Sequence, residues 1–296
     1  MAQKFHLAII GVGLIGGSFG LAMKASFGDD IYITGLCRSQ QSMDNAVSCG
    51  AVDSASPDVE KVVKDADVVY LSTPVLQIVP MTKKILPYLK SGAVVTDAGS
   101  TKEYLWNELS RLLPKDIYYV SGHPMTGKEK SGVTAADKNL FRHKCYVVLE
   151  ETTAPKDVYD KVVDLFRRTG ARLTTLDAKK HDRCASLISH VPHVTAAALV
   201  NILGLYDDDM NAVMKLAGGG FKDTTRIASS NSDMWADICM TNGALISKHL
   251  RELKKIIGDI ADAVDAHDRQ AVYDYFAAAK KRRDAILDYT EPYFDI

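Results

Sequence analysis

The chain has 296 residues, too many for one ordinary core of roughly 100–150 residues and suited to two domains. Composition is that of a globular protein, with 47% apolar and 25% charged residues. Thirty-six basic residues oppose 37 acidic ones, a net charge of −1 that excludes the broad basic field of a general nucleic-acid or membrane-surface binder. Local clusters of cations remain compatible with that balance. The cysteines Cys37, Cys49, Cys145, Cys184 and Cys239 form an odd set without a CxxC, which argues against a disulfide framework or thiolate zinc site and for a reducing cytoplasm.

At the N-terminus, 5–10 (FHLAII) reads as a strand and 14–26 as a helix. The uncharged run Leu7–Met23 resembles a signal peptide or short membrane span. Gly11, Gly13, Gly16, Gly17 and Gly20 inside it weaken a simple apolar helix, and no other stretch is expected to span a bilayer. Further strands are expected at 31–36, 67–72, 93–97, 117–121, 145–150 and 172–176, with helices at 41–49, 76–88, 102–112 and 155–169. This alternation predicts a Rossmann-type α/β domain over 1–176, a mostly parallel sheet covered on both faces.

From Asp177 onward strand-like runs disappear, and residues 177–296 read as an all-α domain. Leu245, His249, Leu253, Ile256, Ile257, Ile260 and Val264 form a stripe on one helix of over twenty residues, facing either a core or a second copy of the chain. The basic run Lys280–Arg283 reads as a solvated helix face.

Gly11-Val12-Gly13-Leu14-Ile15-Gly16 follows the first strand and opens a helix, the context a GxGxxG dinucleotide fingerprint requires. Gly11 makes the tight turn, Gly13 admits the pyrophosphate, and Gly16 allows close packing, with the phosphates at the helix N-terminus. Ser72, Thr73 and Pro74, after the strand 67–72, belong to the same expected cofactor set. The second strand leads into Arg38 and Ser39 where an NAD site usually carries an acid, so NADP is expected over NAD.

Several segments converge further on. Asp97-Ala98-Gly99-Ser100-Thr101-Lys102 ends one strand and Gly122-His123-Pro124-Met125-Thr126-Gly127 ends another. Ser189-His190-Val191-Pro192-His193 follows in the helical part, then Gly218-Gly219-Gly220-Phe221-Lys222-Asp223-Thr224-Thr225-Arg226, then Trp235. With the fingerprint, these resemble the prephenate/arogenate dehydrogenase family of tyrosine biosynthesis, in the family's order and over nearly the whole chain. The resemblance implies a two-domain dehydrogenase whose helical domain dimerises. Its reaction takes hydride from the carbon bearing a ring hydroxyl, releases CO₂ and leaves an aromatic ring.

On that resemblance His123 is the catalytic base, suited to neutral pH by an imidazole pKa of about 6.5, and Ser100 is its hydroxyl partner. Arg226 is the carboxylate-binding cation, while His193 and Ser189 line the side-chain end of the pocket. Glu129, Lys222, Asp223 and Trp235 match family positions behind these or at a gate. His190 and His193 stand at i,i+3, but Pro192 lies between them and no third ligand follows at helical spacing, so no metal is expected. Gly218–Gly220 reads as backbone brought close to a ligand. Thr126 stands where many relatives carry alanine, and its hydroxyl either makes a polar contact or fills space.

The expected activity is oxidative decarboxylation of prephenate to 4-hydroxyphenylpyruvate, with arogenate as the alternative substrate. No nucleic acid and no membrane is expected as partner. A β-hydroxyacid dehydrogenase of the 6-phosphogluconate type shares the two-domain plan, but the GHPM segment counts against it. A dinucleotide-binding protein without turnover would be expected to lose His123, Ser100 or Arg226, and all three are present. With the last residue at Ile296, no fused chorismate mutase or ACT-type regulatory domain is expected, which leaves tyrosine binding at the active site as the open route to feedback.

Overall fold

The structure, a computed structural model, describes residues 4–128, 130–206 and 210–294. Its strands are β1 (Phe5–Ile10), β2 (Ile31–Leu36), β3 (Ser54–Ser56), β4 (Val68–Leu71), β5 (Val94–Asp97), β6 (Tyr118–Pro124), β7 (Cys145–Thr152) and β8 (Arg172–Leu176). Among them run α1 (Leu14–Phe27), α2 (Gln40–Ser48), α3 (Val59–Val63), α4 (Val75–Ile85), α5 (Glu103–Leu112) and α6 (Lys156–Arg168). After β8 come α7 (Ala178–Ala185), a π-turn at Ser186–His190, α8 (Val191–Asn201), α9 (Met210–Leu216), α10 (Gly219–Thr225) and α11 (Ser232–Thr241). The chain forms two compact units, Met1–Gly243 and Ala244–Ile296.

Strand residues alternate between two apolar layers, as a sheet covered on both faces requires. Leu7, Ile9, Val68, Tyr70, Val94 and Val120 pack in one layer with Phe19 of α1 and Phe166 of α6. Ala8, Ile10, Val69, Leu71, Val95 and Tyr119 pack in the other with Val62, Ile78 and Leu105 of α3, α4 and α5. The sheet order is β3-β2-β1-β4-β5-β6-β7-β8. All neighbouring pairs are parallel except β6–β7, so the expected sheet is present with one antiparallel joint. Among its described residues, the segment between β6 and β7 carries one short 3₁₀ turn, Val133–Ala135, and no crossover helix, and β7 enters from the opposite end.

The chain runs outward from β1 through β2 to β3, then returns to lay β4 on the other side of β1. That reversal opens a crevice beyond the carboxyl ends of β1 and β4, where open α/β sheets hold ligands. The strand β3 and helix α3 were not expected; at three and five residues they are too short to show a period.

The run Leu7–Met23 that imitates a membrane span is most of β1, the glycine turn and the buried part of α1. A different stretch corrects the expectation that no other segment is long and apolar enough. Ala178–Leu205 forms 28 continuous helical residues that pass that test by length and composition alone. Helical joints erase the turn signals that break the pattern elsewhere, so several short apolar pieces act as one. Its polar face is engaged within the protein: Asp182 accepts from the backbone N–H groups of Lys102 and Glu103.

The second unit consists of α12 (Gly243–Asp265), which begins at the unit's boundary, and α13 (Arg269–Phe294). Ile256, Ile257 and Val264 of the expected stripe are each about half exposed, at 49, 51 and 54%. The basic run 280–283 is exposed on α13, with Lys280 paired to Asp284 one turn on.

Candidate active site

The glycine turn has the geometry its spacing predicts. Gly11 has φ +92°, and a Cβ there would lie 3.0 Å from the Ser72 backbone. At Gly16 a Cβ would come within 2.4 Å of the Gly11 carbonyl oxygen, so only glycine lets α1 pack this closely. A Cβ at Gly13 would meet open space, the room a pyrophosphate needs. Leu14 and Ile15 begin α1, whose first turn has neither a side-chain cap nor an acidic residue, so its N–H groups suit an anion. Ser72 braces the turn by donating to the Gly11 carbonyl at 2.8 Å. Thr73 Oγ1 is buried with no hydrogen-bond partner, and Pro74 beside it occupies the N-cap position of α4 without a capping hydrogen bond. An open cradle, bare helix amides and an orphaned hydroxyl together fit a dinucleotide.

Arg38 and Ser39 are exposed in the turn after β2. Ser39 caps α2, accepting from the Ser42 backbone N–H at 3.2 Å. The first turn of α2 also lacks an acid.

The carboxyl ends of β5 and β6 hold a buried polar cluster. Asp97 receives Lys102 Nζ at 2.5 Å, Tyr119 OH at 2.8 Å, Ser121 Oγ at 2.7 Å and the Gly99 N–H at 2.7 Å. Lys102 is fully buried and completes its contacts by donating to the Gly122 carbonyl at 2.7 Å. This ion pair therefore satisfies its members, the condition under which a buried pair is tolerated.

His123 is next along β6, just past a shift in the β6–β7 register, the kind of irregularity that re-aims a side chain. It is 8% exposed, with Nδ1 2.8 Å from His181 Nε2. His181 Nδ1 lies 2.8 Å from Asp182 Oδ1. The expectation of an unperturbed His123 is corrected. Burial first, then repulsion from a proton on His181, from the Lys102 ammonium and from a proton on His190, holds its pKa well below 6.5. Among the described residues no hydrogen bond joins Ser100, half-buried after β5, to His123.

A second cluster forms around the π-turn, a distortion often found at functional sites. Ser189 lies in that turn, and its carbonyl is 2.8 Å from His193 Nδ1. Trp235 of α11 stacks on His193 at 4.0 Å between ring centroids, and its buried Nε1 has no hydrogen-bond partner. Burial lowers the His193 pKa, the Ser189 carbonyl opposes the shift, and Arg226 is close enough to lower it further. His190 is buried against the edge of Trp235, and its Nδ1 faces Asn242 Nδ2 at 3.2 Å. Lys222 and Asp223 are exposed on α10, while Glu129 lies outside the described residues. Cβ atoms at Gly218, Gly219 and Gly220 would all meet open space. Thr126 Oγ1 donates to the Leu140 carbonyl at 3.3 Å, so its hydroxyl makes a polar contact.

His181, Asp182, Lys102 and Asn242 were not singled out from the sequence. A signal existed for two of them: Ala178, His181, Asp182 and Ala185 follow the i, i+3, i+4, i+7 spacing of a buried helix face. A cavity of about 820 Å³, lined in part by Phe5, Phe27, Val68, Val94 and Arg168, includes the amino ends of β1, β4 and β5. It lies at the edge of the sheet opposite the glycine turn.

The family model described as the prephenate dehydrogenase nucleotide-binding domain matches residues 19–175, and the one described as the prephenate dehydrogenase dimerization domain matches 177–278. The prephenate dehydrogenases of Lactococcus lactis subsp. cremoris and Bacillus subtilis are each 33% identical to the chain. The first match covers 95% of this chain and 77% of the relative, the second 96% and 76%. The crystal structure of prephenate dehydrogenase from A. aeolicus, in complex with hydroxyphenyl propionate and NAD+, superposes with a TM-score of 0.84 at 29% identity, covering 97% of this chain and 99% of that one. The chain belongs to the prephenate dehydrogenase family and is a dinucleotide-dependent oxidoreductase.

Proposed function

We propose that the chain converts prephenate to 4-hydroxyphenylpyruvate and CO₂, with His123 as the base. The observation that carries this reading is a buried, proton-poor imidazole at the carboxyl end of β6, on the same edge of the sheet as the glycine turn. Bound at that turn, a nicotinamide dinucleotide would supply the hydride acceptor. As hydride leaves the ring carbon, its hydroxyl proton passes to His123 and the C–O bond gains ketone character; loss of the ring carboxylate as CO₂ then makes the ring aromatic, and the phenolate oxygen takes the proton back from His123. A base that is neutral before the reaction is ready to take that proton.

Arg226, next to His193, offers a planar cation to a substrate carboxylate. The unpartnered Trp235 indole N–H is a donor for the pyruvyl end, with His193 and Ser189 beside it. Ser100 donates to the reacting oxygen in this reading. Lys222 and Asp223 serve behind these residues or at the pocket's gate.

NADP is the favoured dinucleotide, because Arg38 and the acid-free start of α2 suit a 2′-phosphate. We assign cofactor binding to residues 1–176 and substrate binding and dimerisation to 177–296. The homodimer covers Ile188, Ile202 and Leu205, which are 70, 51 and 77% exposed in the single chain. Five free cysteines accord with a cytoplasmic location.

A steady-state assay crossing prephenate and arogenate with NAD and NADP tests the reading. The highest kcat/KM is expected for prephenate with NADP. Preference for arogenate overturns the substrate, and preference for NAD overturns the cofactor.

A further inference from the structure

The cluster beneath His123 fixes more than its position. Asp182 accepts two backbone N–H groups, from Lys102 into Oδ1 at 2.7 Å and from Glu103 into Oδ2 at 3.0 Å. An amide N–H can only donate, so both oxygens are used as acceptors. An ionised carboxylate has no proton to give, and the 2.8 Å contact with His181 Nδ1 then requires Nδ1–H as the donor. A neutral His181 carries its lone pair on Nε2, 2.8 Å from His123 Nδ1. Only a proton on His123 Nδ1 makes that contact a hydrogen bond.

We propose that His181 and Asp182 are positioning residues that fix His123 as the Nδ1–H tautomer, leaving the Nε2 lone pair to take the substrate's hydroxyl proton. The inference rests on the reading of His123 as the base.

Burial supports this chain of contacts. His181 and Asp182 are 2% and 1% exposed, so water does not compete for their hydrogen bonds. The two imidazoles meet edge to face at 63°, with centroids 5.0 Å apart. Asn242 Nδ2 donates to the Asp182 carbonyl at 2.8 Å, and Asp177 caps the start of α7 through the Lys180 N–H. Both contacts fix the segment that carries the pair. Once the proton arrives on Nε2, His123 becomes an imidazolium in a site that disfavours charge. Its Nδ1–H then remains bonded to His181, with the Asp182 carboxylate beyond to balance it. The relay thus selects the reactive nitrogen and steadies the charge formed there.

Two measurements test the proposal. In the first, ¹⁵N-histidine spectra of the wild-type protein report the tautomer directly, with His123 signals assigned by their loss in His123→Asn. An unprotonated Nε2 is expected; a protonated Nε2 overturns the proposal whatever the enzyme's rate. In the second, His181→Leu removes the acceptor and is expected to lower kcat about 100-fold, within the range a positioned base contributes. The KM for prephenate and dinucleotide affinity should stay within about threefold, because His181 touches neither ligand in this reading.

His181→Gln offers an amide oxygen to the same N–H and should recover about tenfold of that loss. A folded His181→Leu with wild-type kcat, or a glutamine variant no better than leucine, overturns the proposal. Should His181→Leu fail to fold, the wild-type spectra still decide. His123→Asn separates the two levels: wild-type turnover there would remove His123 as the base, a failure distinct from a wrong tautomer.

Discussion

Around Gly11–Gly16 the first unit offers little but backbone, whereas around His123 it buries polar side chains and satisfies them among themselves. The turn works by omission: Gly16 permits a close approach, Gly13 leaves a void, and α1 begins without a cap. The histidine pocket works by enclosure, with Asp97, Lys102, His123, His181 and Asp182 all buried within reach of one another. An open anion cradle suits a ligand that arrives with its own charge. A closed polar pocket suits a proton transfer, because it keeps the base neutral and its tautomer fixed. Two kinds of damage should follow, loss of binding at the first and loss of rate or stability at the second.

The sharpest test of that division is His123→Asn. Turnover should fall by about 10²–10⁴, the usual contribution of a positioned base, while dinucleotide affinity stays within about threefold. Rapid-mix kinetics and dinucleotide fluorescence titration measure the two separately. A parallel fall in both would dissolve the distinction between the sites.

Next in size is Lys102→Met, which leaves Asp97 buried without its cation. Breaking a buried pair on one side costs about 3–5 kcal/mol, measurable by urea unfolding. The double variant Asp97→Asn/Lys102→Met should recover part of that loss. Lys102 is also one of the charges that lower the His123 pKa, so its removal should move the acid limb of kcat/KM upward toward 6.5. In the wild-type enzyme that limb is expected well below 6.5, since the base need not lose a proton near neutrality.

Stability should show the same enclosure. Burial pushes the His190 pKa down to about 4, and burial likewise lowers His123 and His193. Below about pH 6.5 the unfolded chain takes up protons that these folded rings refuse, so stability is full above 6.5 and falls as the pH drops toward 4. For His190 alone the loss is on the order of 3 kcal/mol. Melting temperatures at pH 7.5, 6 and 4.5 check this. His190→Asn, which removes that titration, should flatten the decline without abolishing it.

The contrast between turn and pocket also explains what the sequence made legible. The glycine turn is contiguous, so six residues announce it, and the strands show because each alternates between two apolar layers. The partners of His123 are separated in the chain: 58 residues divide it from His181, and 80 divide Lys102 from Asp182. No local spacing encodes those contacts. Resemblance to a family could place His123 and Arg226 but not the groups that set a tautomer. It also assumed an ordinary imidazole, because desolvation appears only once the chain is folded. Among the helices, α12 was readable from its stripe, whereas Ala178–Leu205 was readable as helical but not as one continuous run, since its joints carry no turn signal.

The smallest effect expected is at the rim of the open site, where Arg38 meets solvent. Arg38→Ala should weaken NADP about 10–100-fold, the scale of lost hydrogen bonds to a charged group, and leave NAD within about threefold. Ser39 separates cofactor recognition from helix capping at the same turn. Its hydroxyl already accepts from the Ser42 N–H, so Ser39→Ala should cost α2 about 0.5–2 kcal/mol of capping with little change in the NADP-to-NAD ratio. Isothermal titration with both dinucleotides against both variants measures these ratios. If Ser39→Ala shifts the ratio as far as Arg38→Ala, the discrimination belongs to the start of α2 as a whole. If Arg38→Ala weakens both dinucleotides equally, the arginine serves the shared part of the cofactor, and the case for NADP at this turn is lost.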